Sequence, residues 1–123
     1  MATLNNRVFD NGLTVLDTEA NEIHVTSQEA ASYLEATDTY SLGDSSSLIV
    51  SAPQDRTGGG REVIVAAITD GAISTNGTAT HYALVDTANN RLLVTGSLTE
   101  SQVVTSGNSF ALASFNIGIP DPA

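Results

Sequence analysis

Residues 62–96 read EVIVAAITDGAISTNGTATHYALVDTANNRLLVTG, and this stretch decides the fold class. Glu62 to Thr69 is a nearly unbroken β-branched and alanine run, the pattern of a strand covered on both faces. Asp70-Gly71 is a turn signal, and Ala72 to Thr75 reads as a short strand before the hairpin-type turn Asn76-Gly77. Thr78 to Val85 then alternates, with Tyr82 and Leu84 on one face and Ala79, His81, Ala83 and Val85 on the other. Asp86 to Asn90 supplies a further turn into a strand over Arg91 to Gly96. Downstream, Gln102 to Thr105, the turn Ser106-Gly107-Asn108 and Ser109 to Ile117 continue the pattern. Pro120 and Pro122 cannot continue a central strand, because neither offers an N–H to a ladder. Short strands at regular spacing, punctuated by Gly and Asn, predict an all-β domain, an antiparallel β-sandwich or barrel-like fold with at most one short helix.

Upstream of the core, residues 1–12 are expected as an extended N-terminal arm that orders only against something else, since Met1 to Val8 is polar and aperiodic. Residues 13–123 form the single β domain. After the turn signal Asp10-Asn11-Gly12, Leu13 to Leu16 and Glu22 to Thr26 read as two short strands of a hairpin, with Ile23 and Val25 alternating against Glu22, His24 and Thr26. Ser27 to Ala36 has helix-forming composition, with Ser27 as its cap, but no long apolar stripe. Residues 37–60 turn to loop composition around a brief Leu48-Ile49-Val50, and are expected as a long loop across the surface or against a neighbouring subunit.

The totals fit one domain: 123 residues can bury a core without disulfides, and there is no cysteine to form one. The net charge of -10 comes from 14 acids against four arginines, with no lysine. Phosphate neutralisation needs clustered Lys or Arg, so nucleic acid and anionic membrane surfaces are poor partners. Nine of the acids and one arginine fall in residues 1–55, a net of -8, so an acidic N-terminal half is set against a nearly neutral remainder. The opening residues lack the basic start and apolar run of a signal peptide, and no stretch reaches membrane-spanning length, so a soluble protein made in the cytoplasm is expected.

No catalytic constellation emerges. His24 and His81 stand on separate strands, and neither belongs to a recognisable metal-ligand motif, so no metal, cofactor or catalytic residue is expected. Asp10-Asn11-Gly12 and Asp70-Gly71 lack the spaced oxygens of a calcium loop. Gly58-Gly59-Gly60 lacks the Gly-Lys-Ser/Thr ending of a phosphate loop and leads into a strand where such a loop leads into a helix. Asn76-Gly77-Thr78 matches a glycosylation acceptor in form and reads as a turn. A carbohydrate site starts at a disadvantage without tryptophan and with only six aromatic residues in the chain.

Thr80-His81-Tyr82-Ala83-Leu84-Val85-Asp86, then Arg91-Leu92-Leu93 with Gly96-Ser97-Leu98-Thr99, then Val103 or Val104 with Gly107 and Phe110, resembles a pattern in small β-rich structural proteins of tailed bacteriophages. The opening Leu4-Asn5-Asn6-Arg7-Val8, with Asp10-Asn11-Gly12-Leu13 and Leu16-Asp17-Thr18-Glu19-Ala20, resembles them as well. The resemblance implies a head decoration, or cement, protein: a non-enzymatic virion component on the capsid exterior that binds the major capsid protein and clamps neighbouring subunits. It also implies a homo-oligomer, a trimer by preference. Contacts for that role are expected first between Leu4 and Leu16, at Leu4, Arg7, Phe9, Leu13, Val15 and Leu16, and second in the 37–60 loop, at Leu48 and Ile49. The competing class is a receptor- or carbohydrate-binding β-sandwich module of a fibre or tail. A small enzyme would need an acid pair or a His-acid pair to converge in one cleft, with His81 against Asp70, Asp86 and the Arg91 strand as the first place to look.

Overall fold

The computed structural model describes residues 12–57 and 60–119, together with the backbone of Thr3–Leu4. In chain order the elements are β1 (Thr3–Leu4), α1 (Thr14–Glu19), β2 (Glu22–Thr26), a π-helical turn (Glu35–Thr39), β3 (Ser41–Ser45), β4 (Gln54–Asp55), β5 (Arg61–Val65), β6 (Ile68–Ile73), β7 (Gly77–Asp86), β8 (Arg91–Val104), β9 (Ser109–Leu112) and β10 (Phe115–Ile119). Seven strands form a curled antiparallel sheet in the order β1-β8-β7-β2-β3-β6-β9, and three form a smaller one in the order β10-β5-β4. The fold is therefore all-β and antiparallel, as the alternation predicts, with two short helical segments in place of one.

The main core fills the space between α1, the small sheet and one face of the large sheet. Leu13, Val15 and Leu16 from α1 and its start meet Ile23 of β2, Leu84 of β7, Val94 of β8, Val63 and Val65 of β5, and Ile117 of β10. A continuation of the same layer holds Val25, Leu42, Ile73 and Ala79. On the opposite face of β7, Ala83 and Val85 are covered by Ala30, Ala36, Tyr33 and Tyr40 from the segment around the π-helical turn. Residues 30–40 thus serve as a lid over the second face of the sheet.

Four local expectations are corrected. Leu13 to Leu16 is not a strand: Gly12 takes a positive φ of 72° and the chain enters α1, where Leu13, Leu16 and Ala20 fall at helical spacing toward the core. Ser27 to Ala36 is mostly bend, with the helical turn displaced to Glu35–Thr39 and closed by a bond from the Tyr40 N–H to the Glu35 carbonyl at 2.9 Å. The 37–60 stretch is not one loop. It contains β3, an interior strand bonded to β2 on one side and β6 on the other. Asp70-Gly71 lies inside β6, with Gly71 opposite Phe110, and is not a turn.

The apolar run 62–69 splits for a physical reason. β5 belongs to the small sheet and β6 to the large one, so the chain changes sheets at Ala66-Ala67 and both halves of the run find cover. Arg91–Val104, read as parts of two strands, is one long strand with a large bulge. Ala79 pairs with Gln102 and His81 with Ser97, so Leu98, Thr99, Glu100 and Ser101 stand against Thr80 alone. The turn between β7 and β8 is as predicted, with Asn90 at φ 54° and the buried Asp86 carboxylate accepting from the Ala88 N–H at 3.0 Å and the Asn89 amide at 2.8 Å.

Candidate functional site

Among the described residues, two places have the makings of a site. The first is built across the β2–β3 pair. Glu22 and His24 are two residues apart on β2 and so project from the same face, and the ladder sets Asp44 of β3 directly opposite His24. The donor atoms of these three side chains all lie within 4.8 Å of one another. His24 is only 5% exposed. Its Nδ1 is hydrogen-bonded with the Ser41 hydroxyl at 2.8 Å, and its Nε2 donates to Glu22 Oε1 at 2.5 Å. One imidazole and two carboxylates can share a proton or hold a cation, so His24 has in space the carboxylate neighbours that no ligand motif gave it in sequence. The signal was present in Glu22-x-His24. Its third member was hidden because Asp44 lies in a Gly- and Ser-rich stretch that reads as loop until the sheet forms.

The second place is a groove of about 540 Å³ between the bulged half of β8 and the β9–β10 region. Its walls include Leu98, Glu100 and Gln102 from β8, with Tyr82, Phe110 and Phe115 across from them. The Tyr82 and Phe115 rings are 4.6 Å apart at 52°, and partial burial raises the Tyr82 phenol above its ordinary pKa. Half of the chain's six aromatic residues therefore meet here, which the sequence, with these three residues spread over three strands, did not indicate.

The expected partner contacts divide. Leu13, Val15 and Leu16 are buried in the domain's own core, where α1 packs on the large sheet, so they offer no surface to another protein in this fold. Leu4 sits in β1, whose backbone pairs with β8 at Leu4↔Val94 and Thr3↔Thr95. Arg7 and Phe9 lie outside the described residues. Leu48 is half-buried against the core, while Ile49 is 66% exposed and keeps only its backbone engaged, accepting from the Ala66 N–H at 2.9 Å. Among the described residues, Leu34 at 62% and Val103 at 82% are the other exposed large apolar side chains.

For the enzyme reading, His81 against Asp70 or Asp86 is one of the pairs that would have to converge. His81 Nδ1 instead shares a hydrogen bond with the Thr80 hydroxyl at 2.8 Å. Asp86 holds the β7–β8 turn. Asp70 accepts from the Ser45 hydroxyl at 2.9 Å and the Ser47 hydroxyl at 2.6 Å, bonds that hold its carboxyl below its ordinary pKa. The three residues serve separate local structures. Gly58 and Gly59 lie outside the described residues. No described helix is long and apolar enough to cross a membrane. Comparison with protein-family models, with curated proteins and with solved structures gave no match to this chain.

Proposed function

We propose that this chain is a non-enzymatic structural protein of a tailed-phage virion, which binds the outside of the expanded capsid and clamps neighbouring capsid subunits. The observation that supports it most is the outer edge of β8. Thr3–Leu4 adds a two-residue strand at Val94 and Thr95, and beyond the bulge, at Gln102 to Val104, β8 pairs with β7 alone among the described residues. An edge of this kind accepts an extended segment from another chain, whose backbone satisfies the ladder while its side chains give selectivity. The exposed Val103 adds apolar surface beside it. The resemblance to head decoration proteins names the partner as the major capsid protein, in which case the chain acts by mass action: it binds the assembled lattice and not the dissociated subunits, and the shell gains the binding free energy.

The test is cosedimentation of the purified protein with expanded, undecorated phage heads. Pelleting at a fixed ratio to the capsid subunit is expected; protein that stays in the supernatant at saturating heads overturns the reading. The aromatic groove favours a second reading, a carbohydrate- or receptor-binding module of a fibre or tail, since Tyr82, Phe110 and Phe115 could stack on a sugar while Glu100, Gln102 and Asn116 accept or donate hydrogen bonds. Binding on a glycan array, lost in Phe110→Ala, would select that reading if heads fail to bind.

A further inference from the structure

We propose that Glu22, His24 and Asp44 form a binding site for a divalent transition-metal ion of the zinc class. The site does not depend on the capsid reading, because it rests on β2 and β3 alone. Its three donors come from rigid neighbouring strands: two from alternate positions of β2 and one from the β3 residue paired with His24. Donors around a zinc ion lie about 2.0–2.2 Å from the metal. A set already within 4.8 Å of one another needs only a rotamer-scale change of the carboxylates to close on an ion.

Further features fit a ligand set better than a chance cluster. Metal-binding histidines commonly use the second ring nitrogen in a hydrogen bond that fixes the ring, and Ser41 provides that bond at Nδ1 of a nearly fully buried imidazole. The remaining nitrogen, Nε2, faces Glu22 Oε1 at 2.5 Å, so two of the groups that would share an ion already point at one another. Asp44 makes no side-chain hydrogen bond or ion pair among the described residues, although it stands beside this pair. Among the described residues, Arg61 is paired with Asp55 and Arg91 with Glu19, away from the three donors.

The donor set selects the ion. Calcium takes six to eight oxygens in a flexible cage and magnesium prefers oxygen with several retained waters, whereas one imidazole nitrogen with two carboxylates suits zinc and its first-row neighbours. Water completes the coordination, since Glu22 keeps a side-chain exposure of 23% and the β6 residue opposite Asp44, Ala72, is exposed. A bound ion would tie β2 to β3 in the middle of the large sheet and raise the stability of the folded chain, because the unfolded chain holds no such preformed site.

The test is calorimetric titration of Zn²⁺ into the metal-free full chain, alongside thermal unfolding with Zn²⁺, Mg²⁺ or Ca²⁺. One Zn²⁺ per chain and a raised Tm with Zn²⁺ alone are expected. Ser41→Ala should weaken binding about 10- to 100-fold, Asp44→Asn and Glu22→Gln at least as much, and His81→Ala not at all. Asp44→Asn and Glu22→Gln keep side-chain shape, and an unchanged β-sheet circular dichroism spectrum establishes that each remains folded. No heat of binding, or equal affinity in the wild type and Asp44→Asn, overturns the site.

Discussion

At Gly43, a Cβ would overlap the backbone oxygen of Ala72 on the neighbouring strand, and backbone cannot swing aside as a side chain can. Gly43→Ala is therefore expected to destabilise the fold by about 1–3 kcal/mol, the usual range for overpacking, as measured by denaturant unfolding; an unchanged midpoint would show that the β3–β6 approach is looser than described. Gly71 works differently, since its missing side chain leaves room for the Phe110 ring on the paired strand. Asp70 gives a pH signature. The hydroxyls of Ser47 and Ser45 favour its ionised form and lower its pKa, so their contribution is present above the unfolded carboxyl's pKa and is lost as pH falls through the folded value. Ser47→Ala should move the Asp70 midpoint up in a carboxyl NMR titration. Tyr82 has the opposite sign: burial favours the neutral phenol and raises its pKa, so stability should fall on the alkaline side, from about pH 10 upward, and Tyr82→Phe should remove that loss in alkaline unfolding curves.

At the scale of elements, α1 and β3 show where local pattern misleads. The stretch Leu13 to Leu16 contains alternating and β-branched residues, yet six residues of helix form because Leu13, Val15 and Leu16 together find a pocket between the two sheets. Leu16 is fully buried, and Leu16→Ala should cost about 2–5 kcal/mol, measured by chemical denaturation; a smaller loss would mean that α1 contributes little to the core. β3 reads Ser-Leu-Gly-Asp-Ser, a poor strand sequence, and is a strand because β2 and β6 satisfy its backbone on both sides. The metal-site triad was half-legible for the same reason. Glu22 and His24 could be placed on one face from spacing alone, whereas Asp44 joins them only through the β2–β3 register.

For the whole molecule, the edge of β8 makes a separable claim about the N-terminal arm. Only Thr3 and Leu4 of it pair with the sheet among the described residues, so deletion of residues 1–10 should leave a folded domain that no longer decorates expanded heads. Circular dichroism and cosedimentation check the two halves, and a truncated protein that still binds heads at full occupancy would place the contact elsewhere. The all-β class, the strands β2, β7 and the start of β8, and the turn at residues 86–90 are legible along the chain, because alternation and turn chemistry are local properties. Tertiary structure alone decided that residues 62–69 divide between two sheets, that residues 41–45 enter the large one, and that residues 30–40 close over its second face. It also decided the two candidate sites, since the register of β2 against β3 and the fold of β8 toward β9 and β10 set residues far apart in sequence within reach of one another. No periodicity within a single segment encodes that convergence.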